Sequence, residues 1–136
     1  MPSQKEDDAT IRRAPLFSAL DDAAASSLRE SLSALKLSKG QTLFKEGDSG
    51  DRLFIIVSGK IKLGTTSGDG RENLLAILGP GEMFGELSLF DPEPRTSTAT
   101  AVTDVRLVSL AHDQVIGLVT SHPQVSLELL LSLIHI

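Results

Sequence analysis

Between Lys39 and Glu82 the chain reads as short apolar runs interrupted every few residues by glycine turns: KGQ, EGDSGD, VSGK, SGDGRE and LGPGE. Glycines this close together leave no room for a helix of ordinary length, and they supply the backbone conformations that tight turns need. The runs between them read as strands. In KIKLGT the lysines alternate with Ile61 and Leu63, the pattern of a strand with one wet face. RLFIIV and NLLAIL are apolar on both faces and are expected to lie more deeply. After Pro94, RTSTATAVTDVRLVSL is rich in β-branched residues and extends the β pattern to Leu110. So many short strands at regular spacing imply a mainly β fold, an antiparallel β-barrel or jelly roll (double-stranded β-helix), with an N-terminal helix and C-terminal helices.

The N-terminal helix is read from APLFSALDDAAASSLRESLSAL. Pro15 suits a first turn, Asp21 is a plausible N-cap, and Leu28, Leu32 and Leu35 recur at helical spacing. Residues up to about Thr10 are polar and read as a loose arm. At the other end, AHDQVIGLVTSH places Val115, Ile116 and Val119 on one helical face. PQVSLELLLSLIHI carries two adjacent stripes, Leu127, Leu130, Leu131 and Ile134 beside Val125, Leu129, Leu133 and Ile136. That is more apolar circumference than one barrel wall uses, so the helix is expected to meet a partner chain; the alternative is that all of it packs on the barrel. It ends in mid-pattern, without a C-cap glycine or a basic last turn, as a truncated element would.

Composition closes several routes. At 136 residues the chain suits one domain. With five Phe, no Trp and no Tyr, the core is expected to be aliphatic. A net charge of −5 offers no attraction to nucleic-acid phosphates or anionic membranes, so this stretch should not bind DNA by itself. The absence of cysteine removes disulfides, thiolate nucleophiles and cysteine metal sites. MPSQKEDDATIRRA has no apolar run, hence no signal peptide or membrane anchor, and a cytoplasmic location is expected. His112, His122 and His135 share no ligand spacing, which argues against a metal site and a cupin-type enzyme. His112 and Asp113 are adjacent and point apart on a helix, so they make no catalytic pair. SGDGRE is explained by a hairpin turn without a phosphate.

One segment invites a ligand. MFGELSLFDPEPRTSTAT sets Glu86 and Arg95 in apolar and hydroxyl-rich surroundings. GPGEMFGEL provides glycine turns and then Gly85, where free backbone N–H groups would favour an anion. Arg95 adds a planar guanidinium able to hold two phosphate oxygens, and Thr96 a hydroxyl. Glu86 can only accept, from a sugar hydroxyl or from Arg95. A guest bearing one negative charge beside a hydroxyl would satisfy both charges. An ordinary ion pair at a barrel rim, or two solvated loop charges, would account for the same spacing.

FGEL followed by PRTSTA resembles the phosphate-binding cassette of cyclic-nucleotide-binding domains. LFKEGDSGDRLFIIVSGKIKL, GRENLLAILGPGEMFGELSLFDPEPRTSTA and the preceding helix resemble the sensor domain of the cyclic AMP receptor protein (CRP/FNR) family of transcription regulators, over about Leu16 to Leu131. The resemblance implies that Glu86 accepts from the ribose 2′-hydroxyl and that Arg95 clamps the phosphate oxygens. Backbone N–H groups from Gly85 to Leu87 would complete the anion site, and Thr96 would reach the phosphate or a syn purine. Leu63 and Leu75 would line the base pocket. It implies cAMP as an allosteric ligand, with no cofactor and no enzymatic activity. It further implies a homodimer through the helix beginning at Pro123, and a winged helix-turn-helix beyond Ile136 as the route to DNA. The expected organisation is an arm over 1–12, a cyclic-nucleotide-binding barrel with flanking helices over 13–122, and the start of a truncated dimerisation helix over 123–136. The alternative is a ligand-free interaction module of the same fold.

Overall fold

The structure is a computed structural model, and it describes residues 9–11, 22–85 and 93–114. Among the described residues, helix α1 (Asp22–Glu30) is followed by strands β1 (Ser33–Leu37), β2 (Thr42–Phe44), β3 (Ser49–Gly50), β4 (Arg52–Ser58), β5 (Ile61–Thr66), β6 (Glu72–Leu78), β7 (Met83–Phe84), β8 (Glu93–Pro94), β9 (Thr98–Ala101) and β10 (Val105–Ala111). Every pairing is antiparallel. One sheet runs β1-β10-β4-β7, the second β2-β9-β5-β6, and β3 pairs with β8 in a short ribbon. The order joins strands far apart in sequence, which is the jelly-roll arrangement expected from the turns.

The core lies between the two larger sheets. Leu37, Phe54, Ile56, Phe84, Val105 and Leu107 come from the first sheet and meet Ile61, Ala99 and Ala101 of the second, with Leu43, Phe44, Leu63 and Leu78 half-buried against them. β4 sits between β10 and β7, and Leu53 through Val57 are all buried. That is the deep placement its apolar run implied. The core is not wholly aliphatic. Phe44, Phe54 and Phe84 cluster with ring centroids 5.3–6.1 Å apart, close enough for aromatic contact.

Three further readings of the sequence are corrected. NLLAIL is not deeply buried: Leu74, Leu75 and Ile77 are exposed large apolar side chains. The physical reason is that, among the described residues, β6 is the edge strand of its sheet, paired with β5 alone, and the register shifts between Leu63 and Gly64. The helical stripe through Leu35 also breaks early. α1 closes at Glu30 with tight turns, the N–H groups of Ser31 and Leu32 donating to the carbonyls of Leu28 and Arg29 at 3.0 and 3.2 Å. Leu35 then belongs to β1, because Ser33–Leu37 pairs residue for residue with Ser109–Val105. Finally, residues 9–11 are helical and Ile11 is buried, so the arm is not loose there.

The N-cap at Asp21 and the helices beyond Gln114 lie outside the described residues. Where β10 ends, residues 112–114 turn helical as expected. Gln114 joins that turn to the first helix: its Oε1 accepts from the Ala111 N–H at 2.8 Å, and its Nε2 donates to the Ser31 carbonyl at 2.6 Å.

Candidate functional site

Arg95 is carried into the interior by the turn between β2 and β3. That turn is locked locally, the Lys45 N–H donating to Asp48 Oδ2 at 2.9 Å and the Asp48 N–H to the Lys45 carbonyl at 3.0 Å. The Glu46 N–H donates to Thr98 Oγ1 at 2.9 Å, tying the turn to β9. It then grips Arg95 by the backbone. The Arg95 N–H donates to the Asp48 carbonyl, and the Gly47 N–H donates to the Arg95 carbonyl, both at 2.7 Å. The β3–β8 ribbon, Ser49 opposite Pro94 and Gly50 opposite Glu93, brings the chain to this point. Main chain, and not side-chain packing alone, therefore sets where Arg95 begins.

The side chain is 8% exposed, unusual for an arginine. Its Nη2 donates to the Arg52 carbonyl at 2.9 Å. Its guanidinium carbon lies 4.3 Å from the centre of the Phe44 ring and 5.7 Å from that of Phe54. Two glycines give it room. A Cβ on Gly50 would come within 2.5 Å of Arg95 Nε, and one on Gly85 within 2.7 Å of Nη1. Gly85 has the further requirement of a φ of +79°, a backbone conformation that side chains resist. Burial pushes the Arg95 guanidinium below its ordinary pKa, and the negative charge of Asp51 partly opposes that shift. At neutral pH the group stays protonated. The result is a positive charge held in a largely apolar seat, packed into the room that the two glycines leave.

Of the residues singled out in the sequence, Gly85 and Arg95 are brought together. Glu86 and Leu87 lie outside the described residues. Thr96 is exposed, and it is Thr98, two residues on, whose hydroxyl anchors the turn. Leu63 is half-buried against the core, and Leu75 is 60% exposed on the edge strand. Sequence reasoning missed Phe44, Gly50 and the Arg52 carbonyl. Gly50 left one signal: EGDSGD holds a second glycine, and this one has no positive φ to explain it. Its role is close approach. Among the described residues no group of three His, Cys, Asp or Glu side chains could hold a metal ion, and no helix is long and apolar enough to cross a membrane.

The comparisons with known proteins converge on one family. Residues 34–122 match the family described as cyclic nucleotide-binding domain. The chain is 47% identical over 123 residues to the CRP-like cAMP-activated global transcriptional regulator of Mycobacterium tuberculosis, covering 90% of this chain and 55% of that protein. Among solved structures, the N-terminal domain of a transcriptional regulator from Streptomyces coelicolor A3(2) superposes with a TM-score of 0.88 at 51% identity, covering 93% of this chain and 88% of that one. The catabolite activator protein of Thermus thermophilus superposes at 0.79 with 34% identity, covering 90% and 57%. The chain spans about half the length of the curated relatives it matches. With the fold and the buried arginine in place, the chain belongs to the cyclic nucleotide-binding domain family, in the form found in CRP-like transcriptional regulators.

Proposed function

We propose that this chain is the sensor part of a CRP-like transcription regulator and that its ligand is cAMP. The observation that carries the reading is Arg95, a buried guanidinium with glycines on two sides, which suits one delocalised negative charge such as a cyclic phosphodiester. The relative from M. tuberculosis is described as cAMP-activated, which supports cAMP as the guest. In this reading Arg95 clamps the phosphate oxygens, and backbone N–H groups from Gly85 to Leu87 complete the anion site. Glu86 accepts from the ribose 2′-hydroxyl. Thr96 meets the phosphate or a syn purine, and Leu63 and Leu75 contact the base. The site binds and performs no chemistry, so cAMP acts as an allosteric ligand and not as a cofactor.

The wider organisation follows the same reading. Residues 13–122 form the sensor with its flanking helices after an arm over 1–12, and the helix from Pro123 joins two copies into a homodimer. DNA is reached only through a winged helix-turn-helix outside this sequence, in the cytoplasm. Nucleotide binding biases that domain by favouring one of two arrangements of the dimer helix.

Calorimetry of the chain with cAMP tests the proposal, against Arg95→Leu. Charge-assisted hydrogen bonds contribute roughly 1.5–3 kcal/mol each, so the wild type is expected to bind in the micromolar range and Arg95→Leu to lose at least about tenfold. If Arg95 were only a structural charge, the variant would instead melt much earlier while the wild type showed no heat with millimolar cAMP.

A further inference from the structure

An arginine side chain has four rotatable bonds, and a hydrogen bond from Nη2 to a carbonyl does not by itself orient its guanidinium plane. Phe44 adds a ring face against that plane. It ends β2, half-buried, with its ring face 4.3 Å from the guanidinium carbon, well inside the range of a cation–π contact. Phe54 and Phe84 hold that ring in place, their centroids 6.0 and 6.1 Å from it, and they stack on each other at 5.3 Å. Gly50, lacking a Cβ, keeps the lane open for Nε. The Arg52 carbonyl fixes the remaining direction, since Nη2 donates to it. The guanidinium thus has an aromatic floor, a carbonyl stop and a glycine wall.

We propose that Phe44 is the positioning residue of the anion site, its ring face holding the Arg95 guanidinium in the orientation in which a cyclic phosphodiester meets it. The proposal rests on the nucleotide reading of the site and adds to it the residue that pre-organises the clamp. Its physical content is specific. A desolvated cation is attracted by the negative face of an aromatic ring, an attraction an aliphatic side chain of similar bulk does not supply. A ligand arriving at a guanidinium already in place loses less of its binding energy to ordering a flexible side chain.

The test separates ring electrostatics from packing. Phe44→Leu, which keeps an apolar side chain, is expected to raise the Kd for cAMP about 5- to 30-fold. Because that variant could also loosen the fold, the deciding series replaces Phe44 by mono-, di- and trifluorophenylalanine. These keep the ring's shape and progressively weaken its negative face. The Kd for cAMP, measured by calorimetry, is expected to rise stepwise with each fluorine while the melting temperature without ligand changes little. An unchanged Kd across the fluorinated series, with the wild type binding cAMP, would overturn the role of Phe44 and leave the nucleotide reading standing. A wild-type chain that does not bind cAMP at all would overturn the nucleotide reading itself.

Discussion

β4 and β6, RLFIIVS and ENLLAIL, each carry five apolar residues in seven and have opposite fates. Leu53 through Val57 of β4 are buried, and Ile55 and Ile56 have no exposed surface. In β6, Leu74, Leu75 and Ile77 are 55–61% exposed. The difference lies in strand order. β4 has β10 on one side and β7 on the other, and its side chains are buried on both faces. Among the described residues, β6 has β5 on one side and nothing paired on the other. An apolar run therefore states how much a strand can bury, and its place in the sheet decides how much it does.

The comparison is sharpened most by truncating one isoleucine on each strand. Ile56→Ala removes a fully buried side chain from between the sheets, and about 2–5 kcal/mol of stability should go with it. Ile77→Ala removes one that is already more than half in water, and the loss should stay below about 1 kcal/mol. Urea unfolding of both variants measures the two values on one scale. Equal losses would break the comparison, because they would mean that β6 is covered in solution.

What the sequence made legible follows the same division between local and distant causes. The glycine turns marked the strand boundaries from Lys39 onward because a turn is decided by a few neighbouring residues. The burial of β4 and the pairing of Gly85 with Arg95 were legible for a similar reason, since a run or a short motif carried each. Leu35 was not, because its strand exists through pairing with Leu107, a partner no local pattern reveals. Nor was Gly50, whose missing side chain matters only because Arg95, far along the chain, passes beside it. The Phe44 seat was hidden too, being assembled from β2, β4 and β7.

Glycines extend the contrast between interior and edge at smaller cost. Gly50→Ala would put a Cβ within 2.5 Å of Arg95 Nε and 2.8 Å of its guanidinium carbon. The side chain must leave its seat, so stability is expected to fall by about 1–3 kcal/mol, as for other forced insertions, and cAMP affinity to fall with it. Gly68, in the turn between β5 and β6, has an ordinary φ and nothing within 4 Å of a built Cβ. Gly68→Ala should be neutral or stabilise by up to about 1 kcal/mol, through the unfolded chain, with cAMP affinity unchanged. Thermal melts with and without cAMP read both effects.

The smallest effect lies in that same exposed turn and is electrostatic. Ser67 Oγ donates to the Asp69 carboxylate, which also accepts from the Arg71 N–H at 3.2 Å. These bonds, that of Ser67 first, hold the Asp69 carboxyl below its usual pKa against a weak opposing desolvation. A carboxylate with a depressed folded pKa adds stability above its unfolded pKa, about 3.9, and that contribution is lost as the pH falls through the folded value. Ser67→Ala should therefore move the Asp69 titration upward, which carboxylate NMR measures directly. The variant should melt slightly earlier than the wild type at neutral pH, and the two should converge once the pH is below the wild-type Asp69 pKa. A gap that persisted at that acid end would trace the loss to the Ser67 bond to the Arg71 carbonyl, 3.2 Å away, and not to the charge. The hairpin turn would then owe its shape to neutral hydrogen bonds, like the backbone bonds that join the β2–β3 turn to Arg95.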